Sequence, residues 1–200
     1  MPKKIRRDFP IYIAPNIVGF YEGDNPIAID QKPLKKLNPY DINDKIHIYE
    51  RQVSEWFLNI ANQLSKGDHN GFIVLMICLS YFEGVQQYID GQSSEGRSSK
   101  QFFKLSIHRV YPHRFSNVDL DELYKEARCG LFHNGMVSGK IIINNSFEHA
   151  IDFPDNDTIR ISPKKLLDDV KKDFGKYISE LRNEHKQNIR NSFDTMFSVV

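Results

Sequence analysis

Residues 71–90 read GFIVLMICLSYFEGVQQYID. The first half is apolar nearly all round, and a helix with no polar face must be enclosed by other elements. It is the expected central helix of a bundle, and Glu83 is the acid set within it. Its unbroken apolar run, 72–79, falls well short of the ~20 residues that a bilayer span requires. Packing inside protein, with no membrane partner, is the expectation.

Upstream, Tyr49, Val53, Trp56, Phe57, Ile60, Ala61 and Leu64 recur at helical spacing until Gly67, which predicts an amphipathic helix with Trp56 on its core side. Residues 1–47 are rich in Pro, Asn, Asp and Lys, with short β-like pieces at 11–13, 17–21 and 27–29. They predict an arm that covers the body rather than a domain with its own core. Downstream, GQSSEGRSS over 91–99 is a loop by composition. A helix then runs from about Lys100 to Tyr111, with Phe103, Ile107 and Val110 inward and Pro112 ending it.

Ser116 and Asp119 resemble a capping box before Leu120, Leu123, Tyr124, Ala127 and Leu131, and Asn134-Gly135 supplies a stop. KIIINN, HAIDF and TIRIS, between 140 and 162, read as a small antiparallel meander. Ser162-Pro163 opens a last long helix with Leu166, Val170, Phe174, Tyr177, Ile178 and Leu181 on one face. Beyond Arg182 the chain turns polar and is expected to fray or to pack on a second chain. The expected class is mainly α: an arm over 1–47, a four- or five-helix bundle over 48–190 with a β insertion at about 138–162, and a tail over 191–200.

The 200 residues carry 27 Lys+Arg against 26 Asp+Glu, so no global charge argues for nucleic acid or a membrane surface. Any such partner must be argued from a local site. The two cysteines, Cys78 and Cys129, suit free thiols in a reducing cytoplasm. The basic N-terminus is interrupted by Pro10 and Pro15, unlike an export signal, and the expected location is cytoplasmic. Phosphate-loop, dinucleotide, nucleophile-elbow and His-Glu-x-x-His motifs are missing. The seven histidines fall on different elements, so neither a metal site nor a cofactor is expected. The basic cluster Lys3, Lys4, Arg6 and Arg7 and the SSEGRSSK loop are read as solvated surface.

Residues 123–136, LYKEARCGLFHNGM, carry the chemistry. Arg128 offers a permanent cationic fork, and His133 can exchange a proton near neutral pH. A proton-transfer group and a cation to neutralise phosphate are what metal-free RNA cleavage needs. Arg-x4-His at a helix end within a compact bundle resembles the signature of the HEPN superfamily. Its members include metal-independent endoribonucleases of toxin–antitoxin, abortive-infection and CRISPR-associated systems, usually dimeric.

The resemblance implies a catalytic pair, Arg128 and His133; Asn134 and Cys129 within the motif and Glu83 on the central helix are read as supporting residues. It also implies RNA as substrate, a homodimer, and a cognate antitoxin or other protein partner. Cys129 departs from the Asn or Asp frequent at its position in the superfamily. The alternative is a catalytically silent helical binding module, in which Arg128 and His133 hold the bundle, Arg128 by pairing with Glu83 and His133 by capping its own helix, or engage a protein or nucleotide partner. A regular α-helix would hold residues five apart about 140° from one another around the axis. Convergence then demands an end or a bend near Gly130, or a site shared between subunits.

Overall fold

The computed structural model describes residues 3–94 and 99–200, so residues 95–98 of the expected 91–99 loop lie outside the described residues. In chain order the first elements are β1 (Ile11–Ala14), β2 (Ile17–Glu22), β3 (Asn25–Asp30), β4 (Lys35–Leu37) and α1 (Ile42–Val53). A π-helical turn, Ser54–Leu58, comes next, and then α2 (Asn59–Leu64), α3 (Gly71–Asp90), α4 (Ser99–Val110) and α5 (Asn117–Leu123). A long π-helical segment, Tyr124–Asn134, leads to β5 (Ile141–Ile143), β6 (Ile151–Asp155), β7 (Thr158–Ile161), α6 (Pro163–Arg182) and α7 (Gln187–Met196). The class is therefore mixed, about 53% helical with two sheets, and not the mainly α bundle expected. The chain divides into two compact units: Met1–Asn59 with Tyr88–Gln92 and Lys176–Val200, and Ile60–Gln87 with Ser93–Gly175.

In the first unit β1 to β4 form an antiparallel meander in sequence order. The expected arm is a four-stranded sheet whose Ile13, Ala14, Ile17, Ile27, Ala28 and Leu37 are buried. Pro and Asn, which read as arm composition, sit at its turns, with Asn16 at φ 58°. The expected boundary after residue 47 falls inside α1, because Asp41 caps that helix by accepting from the amides of Asn43 (2.9 Å) and Asp44 (3.0 Å). The π turn adds a residue to one helical turn, so the 3.6-residue spacing read from the sequence breaks there. Phe57 and Ile60, expected inward, are exposed as a result, while Leu58 and Ala61 are buried. Trp56 is half-buried, with the Lys3 ammonium 5.7 Å from its ring centre.

The expected tail is also core. Phe193, Phe197 and Val199 are buried, and Tyr49 sits 4.8 Å from Tyr88, 5.3 Å from Phe193 and 5.5 Å from Phe197 between ring centres. Apolar residues at 193 and 197 are one helical turn apart, a signal that the polar residues between them conceal. The basic N-terminal cluster is largely paired: Arg6 with Asp8, Arg7 with Asp24, and Lys4 with the Val200 carbonyl.

Asp30 is wholly buried, and His47 Nε2 and Arg51 Nη2 each reach its Oδ2 at 2.8 Å. Burial pushes its carboxyl up, but hydrogen bonds from His47 and the Lys32 amide, with the charges of Arg51 and His47, outweigh that and hold it below the usual 3.8. A depressed folded-state value means that ionised Asp30 stabilises above the ordinary carboxyl range, and that this contribution is lost as pH falls through the folded value. Asp30→Asn is expected to cost about 1.5–3 kcal/mol at neutral pH, the scale of a charged hydrogen bond. Its stability should also depend less steeply on pH below about 4 than the parent's. Thermal unfolding across a pH series checks both, and equal slopes would contradict the assignment.

The second unit is built on α3. By length and composition alone α3 could cross a membrane, yet Val74, Leu75, Cys78, Leu79, Phe82 and Val85 are buried in the fold. Phe82 meets Phe103 edge-on at 6.1 Å, and Tyr81 meets Phe174 at 6.2 Å. The hydroxyls of Tyr81 and Tyr111 donate to Asp173 and Asp169, each at 2.6 Å. Burial first, and then those carboxylates, push both phenols far up, which keeps them neutral donors.

Sheet order near the C-terminus is β5-β7-β6, with β5 parallel to β7. It is not the antiparallel meander expected. The turns between β5 and β6 carry the chain past the central position, which β7 fills after a tight reversal at Asn156-Asp157. Pro154 is tolerated because β6 is an edge strand.

Candidate functional site

Ser116 starts the helix that carries the motif. Its hydroxyl accepts from the Asp119 amide at 3.1 Å, and Asp119 accepts from the Ser116 amide at 2.8 Å, a complete capping box. After α5 the helix does not end at Gly130. It widens into the π-helical form from Tyr124 to Asn134 and stops at Gly135, whose φ is +72°. In a π-helix the backbone bonds run between residues five apart, so positions 128 and 133 lie roughly one turn from each other. The 140° separation calculated for an α-helix does not apply.

Two faces of this segment carry the expected residues. On one, the Arg128 guanidinium carbon lies 5.4 Å from the Tyr124 ring centre and 4.9 Å from that of Phe132. Arg128 Nη2 donates to Glu83 Oε2 of α3 at 2.8 Å, with 19% and 16% of the two side chains exposed. On the other, Lys125, Cys129, His133 and Asn134 line a groove of about 530 Å³ closed by residues 136–138. His133 and Asn134 are exposed, and Cys129 is half-buried. Lys125 and Cys129 also line a second groove of about 740 Å³ toward Ser99, Val118 and Tyr124.

The structure thus gathers His133, Asn134 and Cys129 at one groove. It places Arg128 with Glu83 on the adjoining face, outside the lining of that groove. Sequence reading missed the aromatic bracket around Arg128, although Tyr124 and Phe132 stand four residues on either side of it, a spacing that signals contact along a helix.

The acids nearby are neutralised locally. Lys125 first, and then the Ser138 hydroxyl, hold Glu126 below the usual carboxylate range, and Lys104, with Lys100, does the same for Asp121. Among the described residues no three His, Cys, Asp or Glu side chains gather as a metal-ligand set. The groove offers an exposed imidazole able to exchange a proton, and the adjoining face holds a permanent cation paired with Glu83. No protein-family model, curated protein or solved structure matches the chain.

Proposed function

We propose that this chain is a HEPN-type endoribonuclease that needs no metal, acting in the cytoplasm as a homodimer in prokaryotic defence or stress, with an antitoxin or other protein as partner. What supports it is one juxtaposition: exposed His133 stands one π turn from Arg128, whose charge is already positioned by Glu83. In the reaction the ribose 2′-oxygen bonds to phosphorus as the bond to the 5′-oxygen breaks. One proton leaves the 2′-hydroxyl and one is delivered to the departing 5′-oxygen, which leaves a 2′,3′-cyclic phosphate and a 5′-hydroxyl. His133 serves these proton transfers, and two copies in a dimer would divide them. Arg128 neutralises the charge that builds on the phosphorane oxygens. Asn134 and Cys129 border the same groove as His133.

A second reading, the catalytically silent binding module, is favoured by the pairing of Arg128 with Glu83 beneath Phe132. Arg128→Lys separates the two. Lysine keeps the charge but loses the planar fork, and losing one charge-assisted hydrogen bond of about 1.5–3 kcal/mol corresponds to a fall of roughly 10- to 100-fold in cleavage. A substrate-cleavage assay checks it. A variant as active as the parent, or a parent with no ribonuclease activity at all, would favour the module.

A further inference from the structure

We infer that Gly130 is a positioning residue: it lets the chain after the helix strap back over residues 126–130, and that strap fixes the π register which sets His133 in its groove, one turn from Arg128 on the adjoining face. The inference rests on the ribonuclease reading for its catalytic consequence, and on backbone geometry for the register.

A π-helix is rare because its wide backbone ring packs poorly, and where one persists it is frequently at a functional site. Something outside the helix must hold eleven residues in that form. The contacts that do so come from residues 135–138. Gly135 turns the chain at φ +72°, a conformation that costs other residues free energy. The amides of Gly135 and Met136 then both donate to the Gly130 carbonyl, the latter at 3.3 Å. The Ser138 amide donates to the Glu126 carbonyl at 3.2 Å.

The strap lies against Gly130 itself. A Cβ there would stand 2.7 Å from the Met136 carbonyl oxygen and 3.2 Å from Val137 Cα. Both are backbone atoms that no rotamer change can move aside, so any side chain at 130 must lift the strap or change the register. The displaced residues are His133 and Asn134. The Arg128–Glu83 pair lies before the clash and is anchored to α3 by its own ion pair.

The test uses the full chain with Gly130→Ala, and with Gly135→Ala as a second route that strains the reversal without placing an atom against the helix. Amide hydrogen exchange should show lost protection at residues 135, 136 and 138 in both variants, with α3 and α4 unchanged. On an RNA substrate kcat should fall on the order of 10²-fold, the scale of an ångström-sized misplacement. KM should stay close to the parent's, because Arg128 has not moved. Unchanged protection in both variants overturns the strap. Lost protection with parental kcat overturns the positioning role. If the parent does not cleave RNA, the ribonuclease reading and the positioning role fall together, and the exchange data still decide whether the strap sets the register.

Discussion

Replacing His133 with alanine is expected to lower RNA cleavage by a factor of about 10² to 10⁴, the range for loss of a general acid or base. The fold should not suffer, because His133 is exposed and lies in the last turn before Gly135. Unfolding transitions of variant and parent should therefore coincide while their rates diverge. The same parent should leave a substrate lacking 2′-hydroxyls intact, since that oxygen is the proposed nucleophile. Parental rates in His133→Ala would remove the residue from the mechanism and leave the binding module as the better account.

The largest effect on stability is expected from Phe82→Ala. Phe82 has no exposed surface and meets Tyr81 at 5.9 Å and Phe103 at 6.1 Å between ring centres. Truncating a buried Phe removes its burial and leaves a cavity that a close-packed interior refills only in part, a loss of about 3–5 kcal/mol. Denaturant unfolding checks this, and a loss under about 1 kcal/mol, below the range for such truncations, would mean that α3 is not the centre of its unit. Because Phe82 adjoins Glu83, the variant also probes how firmly the Arg128 anchor depends on the core. Below the unfolding temperature, activity per folded molecule should change far less than in His133→Ala.

The helices were legible where their signals are local. The all-round apolar character of 71–90, the box from Ser116 to Asp119 and the Pro after Ser162 each act within a few residues, and each corresponds to a helix or a helix start. The sheets were legible only as short β-like pieces, because pairing is decided between distant segments. β4 carried no alternation in its three residues, and the parallel β5–β7 pairing depends on a crossover that no local pattern encodes.

The two π-helical segments were invisible for a related reason. A helical pattern search assumes 3.6 residues per turn, so it put Phe57 and Ile60 inward and set Arg128 and His133 far apart around the axis. At the candidate site the residue types and their helix were readable, as was the partnership of Arg128 with Glu83. The groove was not, because residues 136–138 that close it lie beyond the helix, and only the glycines at 130 and 135 hinted at so close an approach.

The most direct measurement of the central claim is end-group analysis of RNA incubated with the purified chain in excess EDTA. Mass spectrometry of the fragments is expected to find 2′,3′-cyclic phosphate on one end and 5′-hydroxyl on the other, at a rate unchanged by the chelator and lowered about 10²- to 10⁴-fold in His133→Ala. Fragments that appear only with added Mg²⁺ or Mn²⁺, that carry 5′-phosphate ends, or that do not form at all would contradict it.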